Sequence, residues 1–169
     1  MQVRVHPALL PLGHPLASVN DVFNAVLVRG DAVGDVMFFG RGAGSLPTGS
    51  AVVGDLISAS RNILSGSVGR IRPVPPVPIP MRPADASNGK FYVRLHAVDR
   101  PKVLASIAHV FGDFDVSIES VVQRALPGGE AEIVWITHRC REESLKGALE
   151  VIGPLESVRA IHNWIRVEE

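Results

Sequence analysis

The sequence has few of the residues that mark disulfide-bonded, zinc-binding or membrane-spanning proteins. Cys140 is the only cysteine in 169 residues, which excludes an internal disulfide and a cysteine-based zinc site. No apolar stretch approaches the roughly 20 residues that a membrane-spanning helix needs. Residues 1–7 lack the apolar core of a signal peptide. These absences predict a cytoplasmic protein with no metal site and no membrane contact.

The chain also lacks an excess of charge of either sign. Seventeen basic residues balance 17 acidic ones, so the formal net charge is zero. A protein that binds bulk nucleic acid or an anionic membrane normally carries a basic excess, and neither partner is predicted here. Because 46% of the residues are hydrophobic, the composition is that of a folded chain rather than a disordered one.

Lysine is absent before Lys90, whereas proline is concentrated in the middle of the sequence. Six prolines lie between residues 71 and 83, and each fixes its own φ angle and favours extended backbone before it. We interpret residues 66–89 as an extended linker between a segment at 1–65 and a domain at 90–169. The alternative interpretation is a proline-rich ligand for a partner domain.

Residues 90–169 show the pattern of a βαββαβ domain in the α+β class. Alternation at 91–97 predicts a strand, and apolar residues at helical spacing over 103–114 predict a helix, with Pro101 in its first turn and Asp99 as its cap. Further strands are predicted at 116–125, 131–138 and 157–167, and a second helix at 142–152. This order predicts a four-stranded antiparallel sheet with both helices on one face. The uncovered face is expected to carry Tyr92, Val121, Val134 and Ile136.

The string from Asp99 to Leu104, together with the strand Val116 to Gln123, resembles an ACT domain over about residues 90–168. ACT domains are ferredoxin-like regulatory modules that usually bind a small amino acid at a paired interface. The resemblance therefore implies a homodimer or larger assembly and threonine as the effector. Lys102 stands where the family's loop, Asp-x-Pro-Gly, has glycine. The implied effector site comprises Asp99, Arg100, Pro101, Lys102, Val103, Ser117 and Ile118.

Residues 1–65 combine a predicted hairpin with a glycine-rich loop. Strands are expected at 22–28 and 33–39, and a helix at 51–64. Between them, Gly40 to Ser50 has the spacing G-x-G-x-G, which is neither the dinucleotide fingerprint nor a P-loop. Such a loop either cradles a polar group with backbone N–H donors or forms a tight turn that needs positive φ angles.

The same segment resembles the end of the catalytic domain of homoserine dehydrogenase. The matching strings begin at Val5, His14, Val22, Gly30 and Gly40. This resemblance implies the NAD(P)-dependent interconversion of L-aspartate 4-semialdehyde and L-homoserine, on the route to threonine and methionine. It also implies that Gly42, Ala43, Gly44 and Thr48 lie at the cofactor, and that the ACT domain exerts feedback control.

No catalytic residue is assigned, because residues 1–89 contain no lysine and their aspartates fit turns and surface positions. The family's N-terminal nucleotide-binding domain, with its GxGxxG loop, has no counterpart in this sequence. We therefore expect a partial catalytic segment that binds no cofactor by itself and is inactive alone. The residue that distinguishes NAD from NADP would lie upstream. The alternative is a stand-alone amino-acid-binding or dimerisation module.

Overall fold

The computed structural model describes residues 1–67, 78–83 and 86–168. Backbone contacts divide the chain into two units: Met1–Leu10 with Ile79–Glu169 form unit 1, and Pro11–Pro78 form unit 2. The predicted boundaries at 65 and 89 remain a prediction, and half of the predicted linker, including Pro73, Pro75 and Pro76, lies outside the described residues. No described helix is both long and apolar enough to cross a membrane.

Three α-helices and eight strands form the regular structure of the described residues, together with a 3-10 turn at Pro15–Ser18. In chain order they are β1 (Ala8–Leu9), β2 (Phe23–Gly30), β3 (Gly34–Arg41), α1 (Ser45–Leu64), β4 (Asn88–Val98), α2 (Val103–Asp113), β5 (Ile118–Leu126), β6 (Glu130–Thr137), β7 (Cys140–Arg141), α3 (Glu142–Ile152) and β8 (Val158–Val167).

Unit 1 contains the predicted βαββαβ arrangement. Its sheet has the order β1-β8-β4-β6-β5, and the β8-β4, β4-β6 and β6-β5 pairs are all antiparallel. Apolar residues alternate along β4 and β6, which gives each strand one buried face, and both helices supply apolar stripes. The predicted α+β, ferredoxin-like class is confirmed. The core is formed chiefly by Phe91, Val93, Leu95, Ile107, Phe111, Ile133, Trp135, Leu145, Ala148 and Ile152.

The assignment of Val121 to the open face of the sheet is wrong. Val121 pairs with the buried Trp135, and directly paired residues of neighbouring strands point to the same face. The register shifts between Ile118 and Ser120, so the alternation along β5 is offset from a simple count. Val122, which pairs with Val134, occupies the open face instead.

The first residues of the chain extend the sheet of unit 1. β1 pairs in parallel with β8, where Ala8 lies opposite Arg166 and Leu9 opposite Val167. Residues 1–10 are thus separated in sequence from the rest of unit 1 by the whole of unit 2. The composition of residues 1–65 carries no signal for this division, because a strand of two residues has no measurable periodicity.

The described residues of unit 2 contain the 3-10 turn, the predicted hairpin and one long helix. β2 and β3 pair antiparallel from Phe23 opposite Arg41 to Gly30 opposite Gly34, which confirms the hairpin. The helix α1 begins at Ser45 rather than at Ala51. Pro47 does not prevent this earlier start, because proline is tolerated in the first turn of a helix. No residue of α1 is buried, and large apolar side chains remain exposed along it.

Candidate functional site

The turn between β4 and α2 is the first candidate site. The N–H of Arg100 donates to the carbonyl of Val98 at 3.0 Å, and the N–H of Ser106 donates to the carbonyl of Lys102 at 2.9 Å. Lys102 occupies the residue before the helix and has φ 75° and ψ −14°. Glycine adopts this left-handed conformation readily, whereas a side chain there is strained. Lys102 therefore holds a backbone conformation that glycine would adopt without strain.

Asp99 does not cap α2, contrary to the sequence-based expectation. The residue at the cap position is Lys102, and no side chain caps the helix. Instead, Oδ1 of Asp99 accepts a hydrogen bond from Nε2 of Gln123 at 2.9 Å, and its N–H donates to the carbonyl of Gly129. Arg100, Pro101 and Lys102 separate Asp99 from the helix start at Val103. The Asp99 carboxylate consequently ties the turn to β5.

A cavity of about 320 Å³ adjoins this turn. It lies among polar and charged groups from the turn and from the connection between α3 and β8. Its lining residues are Arg100, Pro101, Val103, Glu156, Ser157 and Arg159. Nε of Arg159 also lies 3.3 Å from Oε1 of Glu130. Charges of both signs are available here, which suits a zwitterionic ligand of amino-acid size.

Ser117 and Ile118 lie at the opposite end of the sheet from this turn. Ile118 pairs with Thr137, whose hydroxyl accepts a hydrogen bond from the N–H of Phe91 near the start of β4. Asp99 follows the other end of that strand. At about 3.3 Å per residue, the two halves of the predicted effector site are roughly 25 Å apart. A single copy of the chain does not bring them together.

The glycine-rich loop after β3 is the second candidate site. The N–H of Gly42 donates to the carbonyl of Val22 at 2.9 Å, which continues the ladder of the hairpin beyond Arg41. The side-chain amide of Asn24 packs against Gly42 so closely that any Cβ at Gly42 would overlap it. Sequence reasoning did not assign Asn24 to the site, although this residue lies in the family-like string that begins at Val22.

Gly44 joins this loop to α1. Its φ of 126° and ψ of 146° define a conformation that residues with a side chain rarely adopt. The N–H of Thr48 donates to the carbonyl of Gly44 at 3.1 Å, so Thr48 lies within the first turns of the helix rather than in the loop. Gly42, Ala43, Gly44 and Thr48 are all exposed, and no acidic residue occupies the first turn of α1. The helix start is therefore compatible with an anionic ligand.

Sequence reasoning missed a cluster of charges in unit 1. Glu142, which is 4% exposed, accepts hydrogen bonds from Arg4 at 2.6 Å and from Arg166 at 3.0 Å, and Nζ of Lys146 lies 3.2 Å from its other oxygen. Burial alone would raise the pKa of Glu142, but these three cations outweigh burial and hold the pKa below its ordinary value. The partners lie up to 138 residues away in sequence, so no local pattern reveals them.

No group of three or more histidine, cysteine, aspartate or glutamate residues in the described part of the chain is arranged to hold a metal ion. The first candidate site offers charged side chains of both signs beside the positive φ angle of Lys102. The second candidate site offers backbone N–H groups beside the positive φ angle of Gly44.

Two protein-family models match different parts of the chain. Residues 1–57 match the homoserine dehydrogenase family model, and residues 91–156 match the ACT domain model. The homoserine dehydrogenase of Mycobacterium tuberculosis is 40% identical over 173 residues, covering 99% of this chain and 39% of the relative. That of Synechocystis is 44% identical over 178 residues, covering 99% of this chain and 40% of the relative.

Solved structures give the same result. The crystal structure of a homoserine dehydrogenase from Thiobacillus denitrificans has a TM-score of 0.88 at 36% identity, covering 99% of this chain and 39% of that one. The homoserine dehydrogenase of S. aureus has a TM-score of 0.59 at 27% identity, covering 96% of this chain and 37% of that one. The present chain thus spans about two fifths of the length of the relatives that it matches.

Proposed function

Because this chain corresponds to the C-terminal region of homoserine dehydrogenases and carries an ACT domain, we propose that it works as part of a homoserine dehydrogenase. The complete enzyme would interconvert L-aspartate 4-semialdehyde and L-homoserine with NAD(P), in the biosynthesis of threonine and methionine. The observation that carries the proposal is the loop Gly42–Gly44, which leads an exposed hairpin into the start of α1.

The residues present fit a nicotinamide dinucleotide at this loop. A Cβ at Gly44 would lie 3.2 Å from the ring of Pro47 on strained backbone, so the loop is built for glycine and leaves its exposed surface to a ligand. Gly42, Ala43, Gly44 and Thr48 would hold the cofactor through backbone N–H groups and the Thr48 hydroxyl. When bound, the nicotinamide supplies or accepts the hydride. In our proposal, the chain's own contribution is to bind and orient.

The exposed surface of unit 2 supports a larger catalytic assembly. Val26, Val28 and Phe38 on the hairpin and Leu56, Ile63 and Leu64 on α1 are all more than about two fifths exposed. Large apolar side chains exposed in such number are normally covered in a stable protein. We propose that a nucleotide-binding domain of the enzyme covers it, and that the chain alone binds no cofactor and is inactive.

The ACT domain would provide amino-acid control, with threonine as the effector. The turn at Asp99–Val103 and the cavity beside it offer charges of both signs, as an amino acid requires. Since Ser117 and Ile118 lie at the far end of the sheet, a site that includes both halves needs two copies of the domain. The open edge of β5, which pairs only with β6 among the described residues, supports such pairing.

A chimeric enzyme tests the catalytic proposal. In the chimera, the present chain replaces the corresponding region of the homoserine dehydrogenase of Bacillus subtilis, to which it is 36% identical over 170 residues. We expect homoserine oxidation by the chimera and none by the chain alone. Gly44→Val should raise KM for the cofactor strongly, whereas Gly49→Ala, which meets nothing within 4 Å, should not. A folded but inactive chimera, or turnover by the purified chain, would contradict the proposal.

The alternative is a stand-alone amino-acid-binding or dimerisation module, and the autonomous core of unit 1 favours it. The DNA upstream of the codon for Met1 separates the two functions. An in-frame GxGxxG sequence supports the dehydrogenase, whereas a promoter and ribosome-binding site directly before Met1 supports the module.

A further inference from the structure

We infer that residues 1–10, here called the strap, are a coupling element that transfers changes in the remainder of unit 1, here called the ACT unit, to the chain leading into unit 2. The strap belongs by sequence to the dehydrogenase family model, which begins at residue 1, but by structure to unit 1. It continues covalently into unit 2 at Pro11. The inference rests on the proposed function only in calling this coupling regulatory.

Polar contacts hold the strap at three separate points. At its start, Met1 accepts a hydrogen bond from the N–H of Arg82 at 2.9 Å. In the middle, Arg4 donates to Glu142 at 2.6 Å and to the Ser87 hydroxyl at 2.5 Å. At its end, the N–H of Glu168 donates to the carbonyl of Leu9 at 2.9 Å, beside the β1–β8 pairing.

Apolar packing supplies only part of this attachment. Val3 is 64% exposed and Val5 is fully exposed, whereas Leu9 is 38% exposed and Leu10 is partly buried. A cavity of about 460 Å³ lies between the strap and β8, lined in part by Val3, Val5 and Trp164. Because the hydrophobic contribution scales with buried area, Val3 and Val5 add little to it, and the first half of the strap is held chiefly by polar contacts, among them the pair of Arg4 with the buried Glu142.

Glu142 connects the strap to the hydrophobic core of the ACT domain. It is the first residue of α3, and the next turns of that helix bury Leu145, Ala148 and Leu149 in the core. It also bonds Arg166 of β8, the strand on which the strap is paired. A shift of α3 or of the end of β8 therefore changes the distance between Glu142 and Arg4. The strap then either moves with Glu142 or loses this contact.

Hydrogen exchange of the full chain tests this coupling. Glu142→Gln should increase the exchange of strap amides by at least about tenfold while β4 and β6 stay protected, since local openings are governed by local contacts. Arg4→Met removes the same contact from the strap side and should act alike without touching the core. Glu143→Gln is the matched control, because Glu143 is exposed and pairs with Arg141 on the surface.

Coupling further requires that the effect passes beyond the strap. Exchange should also rise over residues 12–19, which include the turn at Pro15–Ser18, in both Glu142→Gln and Arg4→Met. Unchanged protection of the strap in both variants would overturn the inference. Release of the strap with unchanged exchange over residues 12–19 would also overturn it. Neither readout involves catalysis, so the proposed function can fail independently.

Discussion

The guanidinium group of Arg166 lies over Gly89, in the space that any side chain at position 89 would occupy. There it donates hydrogen bonds to the carbonyl of Asn88 at 3.2 Å and to the Ser87 hydroxyl at 2.7 Å. The central carbon of the guanidinium group lies 5.1 Å from the centre of the Phe91 ring. Arg166 is 8% exposed and also donates a hydrogen bond to Glu142. Displacing Arg166 would therefore remove a buried partner of the Glu142 carboxylate.

Replacing Gly89 by alanine should therefore destabilise unit 1. Gly89→Ala displaces Arg166 and weakens a buried ion pair, so we expect a loss of about 2–4 kcal/mol in the free energy of unfolding. Chemical denaturation measures it. Gly112→Ala is the control, since a Cβ there meets nothing within 4 Å and alanine favours a helix. An equal effect of both variants would contradict the assigned role of Arg166.

Replacing Lys102 by glycine should stabilise the ACT unit. Because Lys102 has φ 75°, glycine relieves backbone strain, and we expect a gain of up to about 1 kcal/mol in the free energy of unfolding. Ala105→Gly, an exposed position inside α2, should instead lose about 1 kcal/mol. Urea denaturation of both variants provides the measurement, and destabilisation by Lys102→Gly would refute the strain argument.

Calorimetric titration with L-threonine addresses the proposed effector site. If the Lys102 side chain obstructs the turn, Lys102→Gly should bind threonine more tightly than the parent chain. Asp99→Asn, which removes the charge but keeps a group able to bond Gln123, should weaken binding. Absence of binding to every form at millimolar concentration would assign the domain to assembly rather than to effector control.

The stability of the chain should fall in acid through Glu142. Its pKa in the folded protein lies below the ordinary 4.5, so the ionised form contributes stability above pH 4.5. That contribution is lost as the pH falls from 4.5 through the folded-state pKa. Glu142→Gln should be less stable at neutral pH and should lose less stability than the parent chain below pH 4.5, whereas Glu143→Gln should follow the parent. Denaturation midpoints at several pH values test this difference.

Self-association through the sheet is open to direct measurement. Val122 is 59% exposed on the open face, where buried polar atoms of Arg94 and Asn163 have no hydrogen-bond partner among the described residues. If two copies pair there, Val122→Glu should weaken the dimer at least about tenfold in sedimentation experiments. Val151→Glu, on an exposed position of α3, should not. A monomeric parent chain at micromolar concentration would exclude this assembly.

Strands and helices of unit 1 were predictable because their signals are local. Phe91, Val93 and Leu95 alternate with polar residues, and Leu145, Ala148 and Leu149 recur at helical spacing, so each segment carries its own buried face. The glycine-rich loop and the family resemblance were also predictable, because short stretches of consecutive residues carry both signals. The predicted residues of both sites stay predictions about ligands, although their positions in the fold are now described.

Other features depend on contacts that no local pattern encodes. The amino-acid sequence by itself determined the order βαββαβ, a hairpin with strands expected at 22–28 and 33–39, and the resemblance to a dehydrogenase segment joined to an ACT domain. Tertiary structure alone decided the register shift that places Val121 on the same face of the sheet as Trp135, the left-handed backbone at Lys102 and the attachment of residues 1–10 to the ACT unit. The physical reason is the sequence distance over which each feature is set. Periodicity within one segment shows which face of that segment is buried. The partners of Glu142 are instead selected by packing and charge between residues as far apart as Arg4 and Arg166.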